Sequence, residues 1–152
     1  MTLPAALAAG PVALDTAVFI YYIEEHPDYL ALVEPLFAEI DAGSRDAVAS
    51  ALTLLEVLVI PYRAGDLALA NRYEVLLTRS RGLHLVDIDR TQLRTAAQLR
   101  AVYRLRTPDA LQIAAALATQ CQTFVTNDRQ LPAIPGLRIL QLDQLRRAGR
   151  RR

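Results

Sequence analysis

The sequence predicts a three-layer α/β/α domain with a short, mostly parallel central sheet. Two observations carry that prediction. Short apolar runs recur along the chain and read as buried strands. Longer stretches with apolar residues at helical spacing separate them, and strands joined through helices pair in parallel beneath helices on both faces. The chain has 152 residues, the size of one domain. At 53% hydrophobic and 22% charged residues it has the material for a core and lacks the composition of a disordered chain.

The elements follow in order. Pro11 to Asp15 is a short apolar run ending on a carboxylate, hence a strand. Thr16 to Glu25 places Val18, Phe19, Tyr22 and Ile23 on one helical face, and His26-Pro27-Asp28 breaks it. A second helical stretch runs to Ala42, with Pro35 near its first turn or kinking it, and Gly43 as its C-terminal cap. Asp46 to Ser50 reads as the next strand and Ala51 to Arg63 as an apolar helix. Gly65 closes that helix, and Asp66 caps the next, Leu67 to Arg79. Leu83 to Asp87 is strand-like, and Arg90 to Tyr103 is a helix with a polar face. Thr107-Pro108-Asp109 starts a helix through Ala118, with Thr107 as N-cap and Pro108 at the first position. Thr123 to Thr126 and Leu137 to Leu140 complete the strands. No linker or internal repeat divides residues 1–145, and residues 146–152 form an Arg-rich tail.

The formal charge of +1 hides an asymmetry. All seventeen basic residues are Arg, and five of them (Arg146, Arg147, Arg150, Arg151 and Arg152) lie in the last seven positions. The other twelve, set against sixteen acids, leave the body at about −4. Such a body meets a polyanion only through a bridging cation or local Arg clusters. The tail is either a solvated end or an arm that holds a polyanion. Cys121 is the only cysteine, so no internal disulfide forms, and its apolar neighbours make it a small buried filler. The N-terminus lacks the positive stretch of a signal peptide, and no apolar run approaches the about 20 residues that span a bilayer. A cytoplasmic protein without a membrane partner is expected.

Most of the sixteen acids read as solvated surface, among them Asp28, Glu39, Asp41, Asp46 and Glu74. Four do not. Asp15 ends the first strand, where open α/β sheets bind ligands, although it also suits a helix N-cap. Glu56 stands alone in Leu54 to Ile60, so water is hard to reach and an Arg or a metal must compensate it. Asp109 sits in a first helical turn, where an acid also suits the helix dipole. Asp128 ends another strand, with a plain Asn-Asp turn as the alternative. In a doubly wound sheet these four converge at one edge. Gathered carboxylates repel one another, and a hard divalent cation relieves them, with Mg²⁺ best suited to an all-oxygen site. His26 and His84 lack the spacing of zinc ligands.

Four segments carry a resemblance: Val12 to Thr16, Ser50 to Val57, Arg106 to Ala115, and Val125 to Asp128. In order and spacing they resemble the acidic motifs of PIN domains, and specifically the VapC toxins of bacterial toxin–antitoxin pairs. The likeness spans residues 12 to 140. It implies a PIN-like fold and a metal-dependent endoribonuclease that hydrolyses RNA to a 5′-phosphate and a 3′-hydroxyl. It implies that Asp15, Glu56, Asp109 and Asp128 are catalytic and line an Mg²⁺ or Mn²⁺ site, with Thr16, Thr126 and Asn127 in support. It further implies a small cognate antitoxin that inserts an Arg- or Lys-bearing segment, and a two-fold homodimer. The surplus of apolar side chains between Ala51 and Leu77 also points to self-association. About ten residues precede the first strand, where such toxins usually begin at once, and the basic tail is also unusual.

Three other readings compete. A haloacid-dehalogenase-like phosphatase needs a second acid two residues after Asp15, where Ala17 stands. A non-catalytic PIN-fold module binding RNA or protein is the second, and an acidic partner protein without a site is the third. Divalent-dependent RNA cleavage separates the nuclease from all of them.

Overall fold

The computed structural model describes residues 2–151. A short helix α1 (Leu3–Ala6) precedes strand β1 (Val12–Leu14). Helices α2 (Thr16–Ile23) and α3 (Leu30–Ala42) lead to β2 (Ala47–Ser50). Helices α4 (Leu52–Arg63) and α5 (Leu67–Arg79) lead to β3 (Leu83–Val86), and α6 (Arg90–Tyr103) and α7 (Thr107–Ala118) to β4 (Thr123–Thr126). Strand β5 (Arg138–Gln141) runs straight into α8 (Leu142–Arg150).

The five strands form one sheet in the order β3-β2-β1-β4-β5, with every pairing parallel. The three-layer α/β/α architecture is therefore present. Side-chain alternation explains both layers. Val12 and Leu14 of β1, Ala47 and Ala49 of β2 and Val125 of β4 face a core closed by α2 to α5 and by Leu142 and Leu145 of α8. Ala13, Val48 and Phe124 face the opposite core, closed by Ala96 and Leu99 of α6 and Ala110 to Ala116 of α7. Cys121 fills that second core at 4% exposure. Glycine has a strict use at Gly82: a Cβ there would stand 2.3 Å from the Arg45 carbonyl oxygen, so only Gly lets the α5–β3 turn pass.

Both ends of the chain carry helices that the reading of the sequence did not assign. Residues before β1 form α1, whose Leu3 is fully buried. Arg45 Nη1 donates to the Ala8 carbonyl at 3.0 Å and Arg138 Nη1 to that of Ala6 at 2.9 Å, which pins this segment down. Residues 142–150 are helical, so the change in composition at Arg146 falls inside α8. The acids that make this possible are Asp143, paired with Arg146 and Arg147, and Asp28, paired with Arg146 and Arg150. Arg152 lies outside the described residues. Smaller differences concern caps. Gly43 ends α3 in the left-handed conformation and Asp66 caps α5, as expected. Helix α7 instead takes Arg106 as its N-cap residue, without a side-chain capping bond, and Thr107 is its first helical residue.

No helix among the described residues is long and apolar enough to cross a membrane.

Candidate active site

The sheet order reverses at β1: the chain moves from β1 out to β2 and β3, then crosses back to place β4 on the other side. Ligands of open α/β sheets bind beyond the carboxyl ends of strands at such a switch point. Asp15 follows β1 directly and Asp128 follows β4 by two residues, so the topology sets both at that edge.

Asp15 is the N-cap of α2, and Oδ1 accepts from the Thr16 amide at 2.8 Å. Capping is thus one of its uses. Its other oxygen, Oδ2, accepts from the Thr126 hydroxyl at 2.7 Å, across the β1–β4 pair. Burial pushes the Asp15 carboxyl above its ordinary range, and the negative charges of Asp109 and Glu56 push the same way. The bonds from Thr126 and Thr16 oppose that rise without cancelling it. Asp109 and Glu56 therefore each lie within electrostatic reach of Asp15.

Glu56, on α4, is half-buried. Its helix leaves Leu55, Val59 and Ile60 exposed, so the apolar run around Glu56 does not seal it from water. Neither does an Arg among the described residues compensate it: Oε1 accepts from the Thr16 hydroxyl at 2.8 Å and from the Gln112 amide at 3.1 Å. Asp109, in the first turn of α7, is the acid that meets an Arg, with Arg106 Nε 3.2 Å from Oδ2. That Arg side chain is 79% exposed, so the pair is loose.

Asp128 is joined to Asp15 through one hydroxyl. Thr126 Oγ1 donates to Asp15 and accepts from the Asp128 amide at 3.0 Å. The Asp128 carboxylate accepts from the Gln130 amide at 2.9 Å, so it also shapes its own turn. Asn127 does not touch the other acids. Its amide donates to Tyr21 at 3.1 Å, and its oxygen accepts from the backbone of Asp143 at 3.0 Å.

Two residues of consequence escaped the sequence reading. Gln112 is 3% exposed, and its Nε2 lies within 3.0 to 3.1 Å of Thr53, Thr16 and Glu56. Its Oε1 is buried without a hydrogen-bond partner among the described residues. The signal was present: Gln112 is the one polar residue between Ala110 and Ala118, as isolated on its helix as Glu56 is. Thr53, fully buried, completes the group with its hydroxyl 3.2 Å from that of Thr16.

Among the described residues no three acids, His or Cys converge tightly enough to form a ready metal cage. A groove of about 420 Å³ between α2, α3 and α5, lined by Tyr22, Arg72 and Arg79 among others, contains none of the four carboxylates.

A family model for the PIN domain matches residues 12–137, and the chain belongs to that family. Solved structures with the same fold include a chain of VapBC2 from Rickettsia felis bound to a DNA fragment from its promoter. It aligns with a TM-score of 0.67 at 20% identity, over 87% of this chain and 98% of that one. A chain of a toxin–antitoxin complex from Klebsiella pneumoniae aligns at 0.64 and 20% identity, over 86% and 97%. A chain of DNA-bound VapBC from Salmonella typhimurium aligns at 0.62 and 23% identity, over 88% and 99%. At these identities the likeness is one of fold. No curated protein matches the sequence.

Proposed function

We propose that the chain is a divalent-metal-dependent endoribonuclease and the toxin of a toxin–antitoxin pair. The observation that carries this reading is Asp15, a largely buried carboxylate at the switch point of a PIN fold, with its two oxygens fixed by the Thr16 amide and the Thr126 hydroxyl. Perturbed acids in such a place mark functional sites more often than structural ones. The toxin assignment is supported by the fold shared with VapBC and toxin–antitoxin complexes.

The donor set suits a hard ion, since every candidate ligand is a carboxylate oxygen. Mg²⁺ is such an ion, and it takes one or two carboxylates directly and keeps several waters. Asp15, Glu56, Asp109 and Asp128 would hold Mg²⁺ or Mn²⁺, which when bound acidifies water and offsets charge on an RNA phosphodiester. The chain's own part is orientation. The Thr16 amide and Thr126 hydroxyl fix both oxygens of Asp15. The Thr16 hydroxyl and Gln112 hold Oε1 of Glu56, leaving Oε2 for another partner. Asn127 supports from the far side of the Asp128 loop.

Asp15→Asn and Asp109→Asn test the reading. Each abolishes Mg²⁺-dependent RNA cleavage by purified protein while the circular dichroism stays native. Cleavage by either variant at the wild-type rate refutes the metal mechanism, and a folded wild type that cleaves no RNA with Mg²⁺ or Mn²⁺ leaves a binding module.

A further inference from the structure

We infer that Gln141 to Asp143, at the junction of β5 and α8, clamp the loop that carries Asp128, making the basic C-terminal helix a positioning part of the site. The inference rests on reading Asp128 as a metal ligand. Strand β4 ends at Thr126, and regular structure resumes only at β5. Across that gap, two residues, Gln141 and Asp143, grip three consecutive ones. The Asp143 backbone amide donates to Asn127 Oδ1 at 3.0 Å, Gln141 Nε2 donates to the Asp128 carbonyl at 2.7 Å, and the Asp143 carboxylate takes Arg129. Among the described residues the Asp128 side chain bonds only within its own turn, to the Gln130 amide. Its direction therefore follows the loop backbone, and the loop backbone follows residues 141–143.

The clamp is itself anchored. Asp143 is 3% exposed, and its carboxylate also accepts from the Tyr29 hydroxyl at 3.2 Å, Arg146 at 3.2 Å and Arg147 at 2.9 Å. Arg146 lies 5.6 Å from the Tyr29 ring centre and 3.5 Å from Asp28, which ties α8 to the α2–α3 connection. Tyr29 stacks on Tyr21, whose hydroxyl accepts from Asn127. Arg129, Arg146 and Arg147 are thus committed to Asp143. A salt-bridged carboxylate with four partners orients a loop more firmly than one neutral bond.

Hydrogen exchange of residues 127–130 and Mn²⁺ titration test this on wild type, Asp143→Asn, Gln141→Leu and Asp128→Asn. Asp143→Asn speeds exchange at 127–130 and weakens Mn²⁺ binding about tenfold, the scale of a lost supporting contact. Gln141→Leu, which removes one bond and keeps the buried charge, moves both in the same direction by less. In the Asp128→Asn background, Asp143→Asn changes Mn²⁺ affinity by no more than about twofold, because the two act through one group. Unchanged exchange at 127–130 in both clamp variants overturns the inference, as does an equal loss of affinity in both backgrounds. A wild type that binds no Mn²⁺ overturns the metal reading instead, and the clamp then stands or falls on the exchange alone.

Discussion

The amide nitrogen of Gln112 lies 3.1 Å from Glu56 Oε1, so a residue of α7 settles where a carboxylate of α4 points. The same nitrogen reaches Thr16 and Thr53, and thereby joins three of the segments that meet at the site. Gln112→Leu keeps the volume and removes the donor. It lowers the cleavage rate about 10- to 100-fold and costs about 1–3 kcal/mol of stability, since buried acceptors lose a partner. Cleavage measured across a Mg²⁺ titration checks it. A loss of stability with an unchanged Mg²⁺ dependence assigns Gln112 to packing alone.

Gln112 also shows where the sequence stops being legible. The strands, most helix bounds and the edge holding Asp15 and Asp128 follow from apolar periodicity and from the order of elements, which are local signals. The partners of Glu56 do not. An isolated carboxylate in an apolar run demands compensation, but nothing local says whether an Arg, a metal or a hydroxyl supplies it; here Thr16 and Gln112 do, from 40 and 56 residues away. The C-terminal helix was hidden for a related reason. Five Arg in seven residues read as a solvated end, while the acid that organises them, Asp143, sits just before the run at helical spacing from Arg146 and Arg147.

Asp15 makes the metal-free protein pH-sensitive in a definite direction. Burial first, then Asp109 and Glu56, raise its carboxyl above the ordinary carboxylate range, so the folded state takes up the proton more readily than the unfolded chain. Its contribution to stability is thus favourable at low pH and is lost as pH rises through the raised value. In EDTA at neutral pH, Asp15→Asn melts above wild type, and the gap closes as the pH falls below the ordinary carboxylate range. Melting curves of both proteins over that range check the sign. A variant that melts below wild type at neutral pH shows that the bonds from Thr126 and Thr16 outweigh the repulsion.

The same repulsion predicts stabilisation by the ion. A divalent cation that binds only the folded state at a hundred times its Kd adds about 2.7 kcal/mol, which is about 5–10 °C in a domain of this size. Thermal melts of wild type and Asp15→Asn with Mg²⁺ measure it. Wild type rises and the variant moves little; an equal rise in both places the ion elsewhere.

Helix α4 predicts a homodimer. Leu55, Val59 and Tyr62 recur at helical spacing and are 61%, 41% and 55% exposed, forming an apolar stripe beside an exposed Leu67. Such a stripe on an isolated chain marks an interface, and a two-fold pair is the simplest way to cover it. Light scattering at tens of micromolar gives twice the chain mass, and Leu55→Arg with Val59→Arg gives the monomer. A monomeric wild type at that concentration removes the dimer and leaves the stripe to another partner.

On the proposed function, the acidic edge predicts how the chain is silenced. Asp109 already holds a guanidinium, that of Arg106, at 3.2 Å in a loose and exposed pair. An incoming Arg or Lys from a small antitoxin has more to gain, because the charges of Asp109 and Glu56 both bear on Asp15 and that repulsion falls when a cation arrives. Such a side chain competes with Mg²⁺ for the same oxygens, so inhibition needs no distant change of shape. Adding the cognate small protein therefore stops RNA cleavage, and raising Mg²⁺ or salt restores part of it. Replacing the inserted basic residue by Ala weakens the inhibition while an apolar contact still holds the complex together. Inhibition that is complete yet indifferent to Mg²⁺, to salt and to every basic residue of the partner places the block on another surface.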